Sequence, residues 1–269
     1  MKGRAARRLC SKFLRGVLEH LRILKTIYDP VKKTTLEVEY DEDALLTGNH
    51  KARIKKRMEE LGIYDKERLN SIPLEGFVRY TAEQRGFLRR VGAVIVHAAV
   101  VTNTDAFIKE GEAGEPVDAT QAEEAFMRVH KIDTGLYHYV GLFSPTGFTD
   151  DIKESLPVRE TAALALIEKV EGTRWNVFAP DVSWKREFER LFDVETERER
   201  RHRVAEALQN CPDISYAGGH IEIKEIAEQE GVAFELAKQE AEKLAKPVSY
   251  THLRAHETRH DLVCRLLLE

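Results

Sequence analysis

The sequence predicts an α/β or α+β fold, in which a mixed central sheet is flanked by helices and an all-α module follows at the C-terminal end. Residues 34–40 alternate between apolar and polar side chains, which is typical of a half-buried strand. Residues 91–101 form a nearly continuous apolar run, which is typical of a strand buried on both faces. Segments with helical periodicity separate such runs, and strands interleaved with helices favour a layered core.

The same patterns give the order of the elements. The predicted strands are 34–40, 91–101, 136–143, 162–170 and 173–178, the last two joined as a hairpin by Glu171-Gly172. The predicted helices are 51–61, 81–90, 118–131, a short one after Thr149, 183–192 and 196–208.

Local start and turn signals fix several boundaries. Thr81 with Gln84, and Asp118 with Gln121, have the spacing of capping boxes and predict two helix starts. Residues 102–116 are polar and contain several glycines, so we expect a loop there.

The composition is that of an ordinary globular chain of 269 residues, with 42% hydrophobic and 33% charged residues and a net charge of −4. No apolar run has the length of a membrane span, and the N-terminus is too basic and polar for a secretory signal. Outside the C-terminal tail the cysteines are Cys10 and Cys211, which do not make a disulfide framework. We therefore expect a cytoplasmic protein without a membrane partner.

Residues 1–33 are strongly basic, with ten lysines and arginines against two acids and a net charge of +8. A basic arm on an acidic remainder is typical of contact with a polyanion, either nucleic acid or an anionic membrane. The apolar residues of the segment recur at helical spacing, so we predict a basic amphipathic helix, for which a merely solvated polar face is the alternative. The candidate DNA contacts in this arm are Arg4, Arg7 and Arg8.

A second basic cluster lies on the helix predicted at 51–61, which ends at Gly62. Ile54, Met58 and Leu61 share one face of this helix, and the opposite face is polar. The candidate DNA contacts on the polar face are Lys51, Arg53, Lys55, Lys56 and Arg57.

An all-α module is predicted at 193–246, after an α/β core at 34–192. Its characteristic residues are Ile223, Ile226, Ala227, Gly231, Val232, Leu236, Ala241 and Leu244. Ala227 allows two helices to approach closely, and Gly231 suits a tight turn at positive φ. The pattern resembles the helix-turn-helix of bacterial and archaeal winged-helix regulators. The resemblance implies binding of duplex DNA and a role in transcription regulation.

The second helix of this module, 233–246, carries charges of both signs. Lys238 and Lys243 are its candidate DNA contacts, whereas Glu235, Glu240 and Glu242 are unfavourable beside a phosphate-lined groove. Modules of this kind also bind proteins, so a protein–protein interaction module without nucleic acid stays open, as does a homodimer.

A segment of the core suggests a further alternative. Residues 137–156, with the turn Ser144-Pro-Thr-Gly-Phe-Thr between a strand and a helix, resemble the Mrr-type branch of the restriction-endonuclease-like fold. That family holds a divalent metal with an Asp and an acidic-x-Lys pair on adjacent strands. Here the acidic-x-Lys spacings, at 151–153 and 222–224, fall on predicted helices. The resemblance therefore implies a catalytically altered nuclease relative, and we predict no catalytic residue, metal ligand or cofactor.

The C-terminal residues 247–269 have an unusual origin. Back-translation of 248–258 and of 261–269 gives two blocks that resemble a sequencing-library adapter, separated by a gap of the size of a sample index. We interpret this tail as non-native and expect the native sequence to be truncated near Lys246. The tail contains His252, His256, His260 and Cys264 at helical spacing, a zinc-like stripe that we attribute to the adapter.

Taken together, the patterns favour a DNA-associated cytoplasmic regulatory protein with a sensor or interaction core and a C-terminal helix-turn-helix. The expected partner is duplex DNA, and a non-enzymatic role is preferred over an enzymatic one.

Overall fold

The apolar run that predicts a buried strand becomes the centre of a seven-stranded sheet in the computed structural model of the chain. The structure describes residues 2–41, 45–46, 50–73, 75–85, 90–112, 115–130, 135–169, 175–211 and 222–245. The chain divides into two compact units, the first formed by residues 1–170 and 175–194 and the second by residues 171–174 and 195–269. The predicted hairpin turn at Glu171-Gly172 and the tail 247–269, with its histidine stripe, lie outside the described residues.

The helices of the described residues are α1 Gly3–Ile23, α2 His50–Glu60, α3 Lys66–Ser71, α4 Thr104–Glu110, α5 Ala119–His130, α6 Asp150–Glu154, α7 Lys185–Leu191, α8 Glu197–Asn210, α9 Ile223–Glu230 and α10 Phe234–Ala245. The strands are β1 Thr26–Asp29, β2 Thr34–Glu37, β3 Glu39–Asp41, β4 Leu45–Leu46, β5 Phe77–Arg85, β6 Arg90–Val100, β7 Tyr137–Phe143, β8 Ala162–Lys169 and β9 Trp175–Phe178. The mixed α/β class predicted from the sequence is confirmed.

The large sheet has the strand order β3-β5-β6-β7-β8-β9, with β4 also paired to β5. Strands β6, β7 and β8 are parallel, whereas β5 is antiparallel to β6 and β9 is antiparallel to β8. The carboxyl ends of the three parallel strands therefore share one edge of the sheet, where α/β proteins commonly place their ligands. Strands β1 and β2 form a separate antiparallel pair.

Helices cover both faces of this sheet. On one face, Phe13 of α1 stacks on Phe143 of β7 with ring centroids 4.8 Å apart, and Phe188 of α7 meets Tyr139 edge to face. On the other face, Phe126 of α5 is buried in a cluster with apolar residues of β7 and β8. Because β7 and β8 are covered on both sides, their residues are buried almost without interruption, as expected for parallel strands.

The prediction of a helix throughout residues 1–33 is wrong after Ile23, because Thr26–Asp29 form strand β1. Helix α1 is also part of the first unit: Phe13, Val17 and Leu21 are buried in the core cluster of the sheet. The apolar face that the sequence predicts is therefore a packing surface, and the basic face lies opposite to it.

Two further predictions are corrected. Residues 81–85 belong to β5 and not to a helix, because Thr81 pairs with Ile95 and Ala82 with Val94 across the sheet. Tertiary pairing here overrides the local capping-box spacing. The predicted loop 102–116 contains α4, which is capped by Asn103 and ends at Gly111 with φ 75°. In contrast, the predicted Asp118–Gln121 capping box is present, with reciprocal bonds of 2.8 and 3.3 Å.

The second unit is built by α8, α9 and α10. Val204 and Leu208 of α8 pack in one buried cluster with Ala227 of α9 and with Ala237 and Ala241 of α10. Gly231 ends α9 with φ 61°, and α10 begins three residues later at Phe234. Among the described residues, no helix is both long and apolar enough to cross a bilayer.

Candidate nucleic-acid interface

The predicted basic face of α2 is exposed to solvent. The buried residues of α2 are His50, Ile54 and Met58, which lie on one face of the helix. The opposite face therefore points to solvent. All five candidate contacts on that face, Lys51, Arg53, Lys55, Lys56 and Arg57, are exposed.

Neighbouring acids neutralise part of this face. Arg57 binds Asp105 of α4 at 2.8 Å and holds the pKa of that carboxyl below its usual value. Arg53 lies 3.6 Å from Glu75, and Lys55 lies 3.7 Å from Glu59. Within the described part of the chain, no carboxylate lies within ion-pair distance of Lys51 or Lys56. Among the five basic residues of this face, these two lysines are the most available to a phosphate.

The N-terminal arginines of α1 lie beside α3. Arg7 donates to the carbonyl oxygen of Asn70 at 2.6 Å, and Arg4 lies 3.8 Å from Glu67. Arg8 is exposed. Ala6 of α1 is buried in the same cluster as Ile54 and Met58 of α2. Helices α1 and α2, which carry the two predicted basic segments, therefore pack against one hydrophobic cluster.

The candidate contacts on α10 differ from each other. Lys238 is exposed, whereas the Nζ of Lys243 lies 2.6 Å from Oε1 of Glu240. Burial alone would raise the pKa of Glu240, but hydrogen bonds from Lys243 and Arg201 outweigh it and the pKa is lowered. Both lysines are exposed, but Lys243 stabilises a carboxylate of its own helix, whereas no carboxylate of the described residues lies within ion-pair distance of Lys238.

A carboxylate–lysine pair lies at the carboxyl edge of the parallel strands. Glu168 of β8 accepts a 2.6 Å hydrogen bond from the backbone of Phe148 and lies 3.0 Å from Nζ of Lys153 on α6. Lys153 lies on helix α6 and Glu168 on strand β8. The pair is therefore not the acidic-x-Lys spacing at 151–153, and its two residues do not share a strand. Its visible role is to anchor the turn after β7 against β8.

Two histidines form a buried pair between adjacent parallel strands. His97 of β6 and His138 of β7 are each 1% exposed, their rings stack, and Nε2 of His97 lies 3.0 Å from Nδ1 of His138. His97 lies within the apolar run 91–101, where a histidine is more often a core residue than a ligand or a base. Its partner could not be identified without the strand register, in which His138 pairs with Ile95.

A third polar cluster, formed by His50 and Glu75, was not predicted from the sequence. His50 accepts a hydrogen bond at Nδ1 from the backbone of Glu75, and its Nε2 lies 3.3 Å from the carboxylate of the same residue. Burial, and after it the charges of Arg53 and Arg128, lower the pKa of His50 to about 4. Burial also raises the pKa of Glu75. A histidine on the apolar stripe of α2 was the available sequence signal.

No group of three or more histidine, cysteine, aspartate or glutamate side chains suited to a metal ion occurs in the part of the chain that the structure describes. The Glu168–Lys153 pair therefore has only one buried carboxylate where a two-carboxylate metal site would need a second.

The sequence matches no family model, no curated protein and no solved structure.

Proposed function

We propose that this protein associates with duplex DNA and acts as a regulator through its second unit. The observation that carries the proposal is the arrangement of α9 and α10. Two helices of 8 and 12 residues are joined by a three-residue turn, Gly231 adopts the left-handed conformation there, and α8 completes their core. Turns of this length containing glycine are characteristic of helix-turn-helix motifs that place their second helix in the major groove.

The charge of the first unit supports the same proposal. Arg8 of α1 and the pair Lys51 and Lys56 of α2 present exposed cations on two helices that share a hydrophobic cluster. Such cations attract phosphates without regard to base sequence and dominate non-specific affinity. The first unit would serve as the sensor or interaction core, and its cations would hold the DNA.

We also propose a cytoplasmic location for the protein. Cys10 and Cys211 are free thiols, which supports a reducing compartment.

Salt-dependent binding tests the proposal. Fluorescence anisotropy with a random-sequence duplex, between about 50 and 200 mM salt, is expected to give an affinity that falls steeply as salt rises. Replacing Lys51 and Lys56 together by alanine is expected to reduce the slope of log affinity against log salt by about 2, because two phosphate contacts are lost.

The matched control removes two exposed cations elsewhere on the first unit, through Lys185→Ala with Arg186→Ala on α7. It is expected to leave the slope unchanged. Absence of binding at low salt, or binding that is insensitive to salt, would refute the proposed function.

A protein-contacting role is the second candidate, and the exposed apolar side chains of α10 favour it. Phe234 is 46% exposed and Leu244 is 39% exposed on a helix that also carries three glutamates. A homodimer formed through this helix is expected to weaken in a Phe234→Glu variant. Analytical ultracentrifugation that shows a monomer at every concentration would rule this candidate out.

A further inference from the structure

Helix α10 presents a polar stripe to solvent. Glu235, Lys238 and Gln239 are exposed and stand three and four residues apart, so they lie on one face of the helix. The opposite face carries Ala237 and Ala241, which are buried against α8 and α9. The stripe is therefore the surface that α10 can offer to a groove.

This stripe is poorly suited to holding phosphates. Between Phe234 and Ala245 the helix carries three glutamates against two lysines. One of the lysines, Lys243, is already bound to Glu240. A helix of this charge adds little to non-specific attraction, which depends on neutralising phosphates. Its polar groups can still bind base edges, because recognition there depends on matching hydrogen-bond donors and acceptors and not on net charge.

We propose that the stripe of α10 reads G·C base pairs in the major groove, an inference that rests on the proposed association with DNA. The ammonium group of Lys238 can only donate, and guanine offers two adjacent acceptors, O6 and N7. The carboxylate of Glu235 can only accept, and cytosine offers the N4 amino group as a donor. The two side chains rise about 4.5 Å relative to each other along the helix, which suits neighbouring base pairs.

The result is a division of roles between two surfaces. The exposed cations of α1 and α2 supply affinity for any duplex. Glu235 and Lys238 supply discrimination, and Glu235 opposes non-specific binding because its charge repels phosphates.

Binding to two duplexes of equal length tests the inference, one with a G·C centre and one with an A·T centre, at a single salt concentration. The full chain is expected to prefer the G·C duplex by about tenfold, as for one good base contact. Lys238→Ala is expected to lose most of this preference. Glu235→Ala is expected to bind both duplexes more tightly while discriminating less between them, a combination that loss of folding would not give.

Two controls sharpen the comparison. Glu206→Ala removes the same charge from an exposed position on α8 and is expected to keep the preference. A duplex with 7-deazaguanine lacks the N7 acceptor and is expected to weaken binding of the unaltered protein but not of Lys238→Ala. Circular dichroism checks that each variant is folded.

The outcomes separate the inference from the proposed function. Salt-dependent binding with equal affinity for both duplexes would overturn G·C readout and leave DNA association standing. A G·C preference that persists in Lys238→Ala and Glu235→Ala would also overturn the inference, because it would come from DNA shape. Absence of salt-dependent binding would overturn both.

Discussion

The guanidinium of Arg203 on α8 donates to both carboxylate oxygens of Glu195, each at 2.9 Å. The same side chain donates at 2.6 Å to the backbone oxygen of Glu230, the last residue of α9. The hydrogen bonds to Glu195 are the largest cause of the raised pKa of Arg203. Burial opposes them, and the hydrogen bond to Glu230 adds a smaller contribution in the same direction as Glu195. One arginine thus ties the segment before α8 to the end of the helix that precedes the turn.

Arg203→Met is expected to destabilise the second unit by about 2 kcal/mol, because the largely buried carboxylate of Glu195 loses its two short hydrogen bonds from Arg203 and keeps the longer contact to Arg200 at 3.6 Å. Urea unfolding followed by circular dichroism measures the change. Arg198→Met removes an exposed arginine from the same helix and is expected to change stability by less than about 0.5 kcal/mol. Equal effects of the two substitutions would contradict the assigned role of Arg203.

The lowered pKa of His50 predicts a dependence of stability on pH. Its folded pKa of about 4 lies below the unfolded value of about 6.5. The unfolded chain therefore binds more protons between these values, and the stabilising contribution is complete above pH 6.5 and lost as pH falls towards 4. The predicted loss is about 3 kcal/mol over this window.

His50→Gln provides the comparison, because a glutamine oxygen can still accept the hydrogen bond from the backbone of Glu75. The raised pKa of Glu75 has the opposite effect on stability, because its contribution is lost as pH rises. The difference between the two proteins isolates the histidine. Parallel stability curves from pH 4 to 7 would show that His50 is not the titrating group.

Gly141 of β7 has no room for a side chain. A Cβ atom there would lie 2.6 Å from Cζ of the buried ring of Phe192. Gly141→Ala is expected to cost about 3 kcal/mol in the free energy of unfolding, because the central strand or the buried ring must shift to admit the methyl group. Adding Phe192→Leu is expected to recover part of the lost stability, as measured in a thermal melt. A double variant no more stable than Gly141→Ala alone would point to a backbone effect instead.

Gly231 is required for its backbone conformation and not for lack of space. Its φ is 61°, and an added Cβ would meet no atom within 4 Å. Gly231→Ala is expected to destabilise the second unit by about 1 kcal/mol, and Gly231→Asn by less, since asparagine tolerates this region better. Gly62 has φ 71° and equally open space. Gly62→Ala is expected to leave the second unit unchanged, as hydrogen exchange of α9 and α10 would show.

The parallel strands could be predicted from the sequence because their burial on both faces leaves an unbroken apolar run, as at 136–143 and 162–170. Residues 81–85 were predicted wrongly because Thr81 and Gln84 carry a local helix signal, whereas pairing with β6 is a long-range interaction. Helix α4 was missed because its polar residues resemble a loop, although Asn103 caps it.

The basic contacts were predictable as residue types, since lysines and arginines on a helical face are usually exposed. Their neutralisation was not predictable. Arg57 meets Asp105 from a distant part of the chain, and Arg53 meets Glu75 from beyond the end of α2. Pairs such as His97 with His138 depend on strand register, which a single sequence does not specify.

The position of α1 has a consequence for biosynthesis. Phe13 packs against Phe143 and Trp175, and Gly16 lies against Val194, so the partners of the first helix are among the last residues of its unit to be translated. At about 5–20 residues per second, the apolar face of α1 waits many seconds before it can be covered. The nascent chain must keep this face from aggregating until the sheet is finished, whereas the three helices of the second unit depend on neighbours made shortly before or after them.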